Sequence, residues 1–175
     1  MEPKHLNTSL WKNVSAAISM LYQCVQKCPN ELWTAHPRYF YLVYHTTIFL
    51  DYYLTVPVRD FAPSLPYSLG DPDDLPENAV DDVLPVRQYS QSEVTGYLDT
   101  IRNKAEALLT GATPKQWSER WIAQEELDLH LGCPSLVADY TLLEICLYNL
   151  RHVQHHVGQL NLILRQESKE RVDWI

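Results

Sequence analysis

The stretch LRHVQHHVGQLN, residues 150–161, places three of the chain's seven histidines within five positions. Apolar residues recur through and around this stretch at steps of four and three. They are Cys146, Leu150, Val153, Val157, Leu160 and Leu164. Because side chains at this spacing lie on one face of an α-helix, the pattern predicts a long amphipathic helix from about Ser135 to Gln166.

Three further segments have the same helical periodicity. They run from about Ser9 to Lys27, from Pro37 to about Leu54, and from about Ser92 to Thr110. Proline is favoured at the first helical position, as at Pro37, and Gly111 is a typical helix terminator. Since no convincing alternation of polar and apolar residues predicts strands, the chain of 175 residues is expected to form one all-α domain, a four-helix bundle.

The second and third predicted helices are joined by residues 56–89, which contain six prolines. So many prolines prevent a regular helix over most of the segment, and we expect a long irregular crossover that covers one end of the bundle. Its acidic part, DPDDLPENAVDD at 71–82, is interpreted as a solvated loop. A calcium loop of the EF-hand type is disfavoured, because its sixth position needs glycine and here is Pro76.

Composition and charge argue against several classes of function. The formal net charge is −8, so we expect no nucleic-acid partner and no binding to anionic membranes. No run of 18 apolar residues predicts a membrane span, and the polar start MEPKHLNTSLWKN is unlike the core of a signal peptide. The expected localisation is cytoplasmic, with four reduced cysteines. Cys24 and Cys28, four residues apart, are a weaker candidate for a metal or redox pair.

The helical period aligns two of the three clustered histidines. His152 and His156 are four residues apart, so they lie one turn apart on the same helix face. His155 is rotated by about 60° from His152 and points elsewhere. His152 and His156 belong to a stripe along the helix that is apolar at its ends and polar in its middle: Ile145, Asn149, His152, His156, Gln159 and Ile163. Two imidazoles placed in this way can bind one metal ion.

The second predicted helix offers a third ligand, His45. It lies within a stripe of bulky residues, Tyr41, His45, Ile48 and Tyr52. A neutral histidine buried there needs a partner, and a metal ion shared with His152 and His156 would supply one. A hydrogen bond to a carbonyl or carboxylate is the alternative. Catalytic zinc sites usually have three protein ligands and keep a fourth position open.

These residues resemble the DinB-like family of four-helix metalloproteins, the damage-inducible proteins. The resemblance rests on HVQHHVGQLN at 152–161, since the family's last helix has H-x-x-x-H followed by an Arg-Gly-Gln-like tripeptide, and on YHTTIFLDYYL at 44–54. Val157 stands where arginine is common, and Gly158 either lets another helix approach closely or is a tolerated weak point. By this resemblance the ligands of a divalent metal ion, zinc, nickel or another, are His45, His152 and His156.

The resemblance also implies a function. Some relatives are metal-dependent transferases that act on low-molecular-weight thiols, so we expect an enzyme that activates a thiol or water, with a small-molecule thiol as partner and a homodimer as assembly. The alternative is a non-enzymatic metal- or partner-binding bundle. A fourth protein ligand would favour that alternative, and the candidates are His36, His130 and His155. Side chains that could contact the ligands or a substrate, or be structural, are Glu144, Asn149, Gln159 and Tyr52.

Overall fold

The computed structural model describes residues 3–175, with side chains from His5 onward, and it is mostly helical, as predicted for an all-α protein. The helices are α1 (Pro3–Gln26), α2 (Asn30–Ala35), α3 (Pro37–Tyr53), α4 (Gln91–Gly111), α5 (Pro114–Trp117) and α6 (Leu142–Glu167). Two short strands, β1 (Tyr67–Leu69) and β2 (Val83–Pro85), form an antiparallel pair. None of the helices within the described residues is long and apolar enough to cross a membrane.

The four long helices share one core. α1 packs against α4 and α6, while α3 packs against α6 and more lightly against α4. Every residue of α3 from Leu42 to Tyr53 is buried, so this helix is surrounded on all sides. Two of its polar residues are satisfied locally: the hydroxyl groups of Thr46 and Thr47 donate to backbone carbonyl groups one turn earlier, at 2.6 and 2.8 Å. The sequence pattern predicts both ends of α3 and of α4 to within one residue.

The last helix begins seven residues later than its periodicity predicts. Residues 135–137 form a 3-10 turn, and α6 starts at Leu142. Thr141 and Glu144 form a capping box, in which the Glu144 carboxylate accepts from the Thr141 N–H at 2.8 Å and the Thr141 hydroxyl accepts from the Glu144 N–H at 3.3 Å. Thr141 also pairs with Arg120 in an antiparallel bridge. This tertiary pairing keeps the preceding backbone out of the helix.

The first helix extends further toward the N-terminus than its pattern predicts, from Pro3 instead of about Ser9. A contact distant in sequence accounts for part of the added turn. The Asn7 side-chain amide donates to the carbonyl oxygens of Thr110 and Ala112 at 3.1 and 2.9 Å, where α4 ends. These carbonyls have no partner within their own helix, so Asn7 caps α4 from another helix. The short helices α2 and α5 were not predicted.

The 56–89 segment contains no α-helix, but it is more ordered than an irregular crossover, because it forms the β1–β2 pair and a 3-10 turn. Side chains of α3 hold it down. The Tyr44 hydroxyl donates to the Pro66 carbonyl at 2.9 Å. The Arg38 guanidinium donates to the Ala79 carbonyl at 2.6 Å. The segment therefore lies along α3 and covers part of it.

A buried ionic network joins α3 to α4. Asp51 is only 2 % exposed, and the Tyr97 hydroxyl donates to one of its oxygens at 2.5 Å. The Lys104 ammonium group pairs with the other oxygen and also donates to the Thr55 hydroxyl at 2.8 Å. Burial, and then the Asp51 charge, raise the pKa of Tyr97 above its ordinary value, so Tyr97 stays a hydrogen-bond donor. A buried carboxylate needs such partners, because an unpaired one is costly.

The cysteines are free thiols. Burial raises the pKa of Cys24, Cys28 and Cys146 to about 12. Because the thiolate is the form that binds metals and attacks disulfides, the raised pKa values disfavour both reactions at neutral pH. This favours the interpretation of Cys24 and Cys28 as core residues over a metal or redox pair.

Gly158 in α6 gives a direct test of helix stability. Among the described residues, a Cβ atom placed there meets no atom within 4 Å apart from the backbone of its own helix. No other described helix approaches closely, and the position is a tolerated weak point. Gly158→Ala is expected to stabilise the protein by about 0.5–1 kcal/mol, because alanine loses less backbone entropy in a helix. Chemical denaturation of the two proteins measures the difference. A loss of stability would show that the glycine has another role.

Candidate metal centre

Three histidines meet where α3 faces α6. The Nε2 atom of His152 lies between the other two: it is 2.9 Å from Nε2 of His45 and 3.1 Å from Nε2 of His156. One ring nitrogen from each lies within 4.8 Å of the others. His45 and His156 are buried, at 8 % and 7 % exposure, and His152 is half-buried. The residues singled out by helical spacing are therefore brought together.

The spacing of the three nitrogen atoms suits a metal ion. In a tetrahedral zinc site with Zn–N distances of about 2.0–2.1 Å, two ligand nitrogens are about 3.3 Å apart. The two close separations here are 2.9 and 3.1 Å. These two separations are within a few tenths of an ångström of that spacing, and the three ligand atoms all lie within 4.8 Å of one another. The group could therefore hold an ion if the His45 and His156 rings adjust toward it.

The contacts of the outer nitrogens of two rings favour one tautomer for each ring. Nδ1 of His156 is 2.8 Å from the Gln159 side-chain oxygen, which accepts its hydrogen. Nδ1 of His45 is 2.9 Å from a carboxylate oxygen of Asp81, although the two atoms are not aligned well enough for a good hydrogen bond. Because amide and carboxylate oxygens accept hydrogen bonds and do not donate them, both contacts favour the tautomer with the ring hydrogen on Nδ1. In that tautomer the Nε2 atoms of both rings present lone pairs to the cluster.

His152 cannot satisfy both of these lone pairs. If its Nε2 atom carries a hydrogen, it can donate to one neighbour and leaves the other unpaired. If its Nδ1 atom carries the hydrogen instead, three lone pairs face one another, and this buried Nδ1 atom has no hydrogen-bond partner within the described residues. Buried polar atoms are normally paired. A cation accepts all three lone pairs at once, so the residues present fit a metal ion.

Burial keeps the rings of His152 and His156 neutral. Desolvation, followed by the neighbouring histidines, lowers the pKa of His152 to about 3. Desolvation also lowers the pKa of His156 to about 4, against a smaller opposing effect of its hydrogen bond to Gln159. A neutral imidazole is the form that binds a metal. The site is therefore prepared for metal binding at neutral pH.

Aromatic rings enclose the cluster. The Phe49 ring centroid is 4.7 Å from that of His45, and the Tyr53 ring meets His152 edge-on at 6.3 Å. The Tyr148 ring lies nearly parallel to the His152 ring, with centroids 6.3 Å apart. Tyr148 also lines a groove of about 520 Å³ along α6, which none of the three histidines lines. The cluster is thus shielded from water on its aromatic side.

Of the four side chains predicted to contact the ligands or a substrate, or to be structural, Gln159 is the one that contacts a clustered histidine. Glu144 is exposed and caps α6. The Asn149 amide donates to the Leu50 carbonyl at 3.1 Å and so links α6 to α3. The Tyr52 hydroxyl is buried without a hydrogen-bond partner among the described residues, and its ring packs edge-on against Trp121. Glu144, Asn149 and Tyr52 therefore contribute to helix capping and packing and do not contact the clustered histidines in the ways described for Gln159.

In the described chain, none of the candidates for a fourth histidine ligand supplies a close ligand atom, although the His155 ring centroid is 5.1 Å from that of His156. His36 precedes α3, and its Nδ1 atom accepts from the Tyr39 N–H at 3.1 Å. His130 lies in the connection between α5 and α6. His155 is exposed, as its rotation around the helix predicts. Within residues 3–175, none of these three belongs to the group of close ligand atoms.

Asp81 is the site residue that sequence reasoning missed. It belongs to the acidic stretch 71–82, and the interpretation of that stretch as a solvated loop is wrong at this position, because the half-buried Asp81 contacts His45. A carboxylate partner for His45 was expected only as the alternative to a metal ion, and the structure permits both. Nothing in the sequence separates Asp81 from the five other acidic residues of the stretch.

Comparison with protein-family models, with curated proteins and with solved structures gives no match. The fold and the site define this chain as a mostly helical protein with a three-histidine cluster that could hold a metal ion. The functional argument therefore depends on the chemistry of that cluster.

The buried imidazoles predict how the stability of the metal-free protein depends on pH. The ordinary histidine pKa is 6.5, against about 3 for His152 and about 4 for His156 in the folded protein. Below pH 6.5 the unfolded chain therefore binds more protons, so the free energy of unfolding falls as the pH drops toward 4. We expect the loss to exceed about 1 kcal/mol.

Urea denaturation at several pH values, with a chelator present, measures this loss. In His152→Leu the slope should be shallower. His155→Gln changes an exposed histidine whose charge contributes least to the low pKa of His152, so its slope should stay close to that of the wild-type protein. Equal slopes in all three proteins would show that His152 is not held neutral by burial.

Proposed function

We propose that this protein binds one divalent metal ion, zinc or nickel, through His45, His152 and His156, and that it uses the ion to activate a thiol or a water molecule. The observation that carries the proposal is the convergence of three Nε2 atoms. Two of them, from His45 and His156, present lone pairs, and a single hydrogen on His152 can satisfy one of these but not both. A divalent ion held by neutral imidazoles keeps its positive charge and lowers the pKa of a bound water or thiol. The reaction classes that follow are metal-dependent transfer to or from a thiol, and hydrolysis.

The number of donors favours a catalytic site over a structural one. Structural zinc sites are usually closed by four protein ligands, whereas catalytic sites have three and an open position. Among the described residues, the group of close ligand atoms consists of three histidines. Imidazole nitrogen suits zinc and nickel, while calcium and magnesium prefer oxygen. The donor set therefore supports an ion with room for a substrate or water.

We further propose that the chain is DinB-like and that its four long helices form a four-helix bundle, with residues 56–89 as the crossover. The packing of α1 against α4 and α6, and of α3 against α6, supports this arrangement. The positions of the clustered histidines support it too, because one lies on the second long helix, α3, and two lie on the last, α6. In the DinB-like pattern the ligands have the same distribution.

The chain's own residues prepare the cluster for this function. Gln159 holds the His156 ring with its Nε2 atom toward the centre. Phe49 and Tyr53 exclude water from one side, which strengthens electrostatic interactions within the site. Buried imidazoles in such surroundings stay unprotonated, so protons compete little with the metal ion.

Metal content of purified variants tests the ligand assignment. His45→Ala, His152→Ala and His156→Ala should each lose the metal ion, because a strong nitrogen donor is removed. We expect a loss of affinity of more than about 100-fold, since groups outside the ligand set alone contribute up to about 100-fold. His155→Ala is the matched control and should keep the ion. Elemental analysis and zinc titration measure both quantities. Metal retained by His45→Ala, or lost by His155→Ala, would contradict the assignment.

Binding of a thiol tests the open position. Cobalt(II) can replace zinc as a spectroscopic probe, and a small thiol added to the cobalt-loaded protein should produce a sulfur-to-cobalt charge-transfer band. The same thiol should produce no such band with cobalt-treated His152→Ala. If neither the thiol nor azide changes the cobalt spectrum of the wild-type protein, the ion has no open position. The non-enzymatic alternative would then hold.

A further inference from the structure

We propose that Asp81 is a positioning residue of the metal centre, which it serves by fixing the ring of His45; this inference rests on the proposed metal function. One carboxylate oxygen of Asp81 lies 2.9 Å from Nδ1 of His45. The other accepts from the Val83 N–H at 3.1 Å, at the start of β2. The carboxylate is thus held from the strand side while its free oxygen faces the ring.

His45 needs this partner because its Nδ1 atom is inaccessible to solvent and has no well-directed hydrogen bond. Asp81 is the acidic residue that pairs with it. A carboxylate beside Nδ1 keeps the ring hydrogen on that atom and leaves the Nε2 lone pair free for a metal ion. It also makes Nε2 a stronger donor. Hydrogen bonds at such sites are often poorly aligned without ligand and improve when the ligand binds.

The backbone around Asp81 is anchored on both sides. On one side, the Arg38 guanidinium donates to the carbonyl oxygens of Asn78 and Ala79 at 3.3 and 2.6 Å. On the other side, β2 begins at the buried Val83. Arg38 lies seven residues before His45 on α3, which is about two helical turns, so both project from the same face. One face of α3 therefore supplies a metal ligand and also holds the loop that carries the partner of that ligand.

Asp81→Asn is a sharp test, because asparagine has nearly the same shape. Its side-chain oxygen can keep the hydrogen bond from the Val83 N–H while its NH₂ group faces His45. A donor at that place favours the tautomer with the hydrogen on Nε2, which blocks the ligand atom. Asp82→Asn is the matched control: it removes the same charge one residue away, and the hydrogen bond that Asp82 accepts from the Gly70 N–H at 2.7 Å uses its backbone carbonyl, which the substitution keeps.

The first measurement is zinc affinity, by competition with a chromophoric chelator. Asp81→Asn should bind zinc about 10–100-fold more weakly than the wild-type protein, while Asp82→Asn should bind it equally well. The second measurement needs no metal. Ring nitrogen–proton correlation spectra of the metal-free wild-type protein should show the His45 hydrogen on Nδ1, and those of Asp81→Asn should show it on Nε2.

The outcomes separate the two proposals. Unchanged zinc affinity in Asp81→Asn, or a wild-type His45 with its hydrogen on Nε2, would overturn the role of Asp81 even if the protein binds metal. If no protein binds zinc or nickel, the proposed function fails. The tautomer spectra of the metal-free proteins would still decide whether Asp81 fixes the ring. Failure of Asp81→Asn to fold would leave the wild-type spectrum as the deciding measurement.

Discussion

The structure of this site depends on one constraint, the need to satisfy the nitrogen lone pairs of three imidazoles that α3 and α6 bury against each other. His45 and His156 have acceptors at their outer nitrogens, which turns both inner nitrogens into acceptors. His152 can serve one of them and not both. Unpaired polar atoms in a protein interior are costly, so the helix pairing that forms the core also creates a place that favours a cation.

The burial of α3 explains how the three-histidine cluster is kept rigid. α3 packs against α6, carries the α3–α4 connection along its length, and is tied to α4 by the Asp51 carboxylate. A helix held in this way cannot easily rotate to move His45 away from its neighbours. The Asn149 amide adds a direct link from α6 to the α3 backbone. The positions of the histidines are therefore set by the same contacts that stabilise the fold.

Local sequence signals predicted those features that depend on one element at a time. The helical period indicated the ends of α3 and α4 and the shared face of His152 and His156, because that period is a property of every α-helix. The start of α6 could not be predicted in this way. Periodicity continues across residues 135–141, and the helix is delayed by the pairing of Thr141 with Arg120 and by the capping box. Contacts between distant segments override local preference there.

The sequence by itself determined the helical class, the extent of α3 and the pairing of two histidines on one helix face, since all three follow from the spacing of side chains along a regular helix. The tertiary structure decided which groups surround that pair. Its helix packing brings His45 within 2.9 Å of His152, and its loop anchoring brings Asp81 to the other side of the same ring. Six acidic residues in 71–82 are chemically equivalent in sequence. They become different only when the folded backbone places one of them beside a buried nitrogen atom.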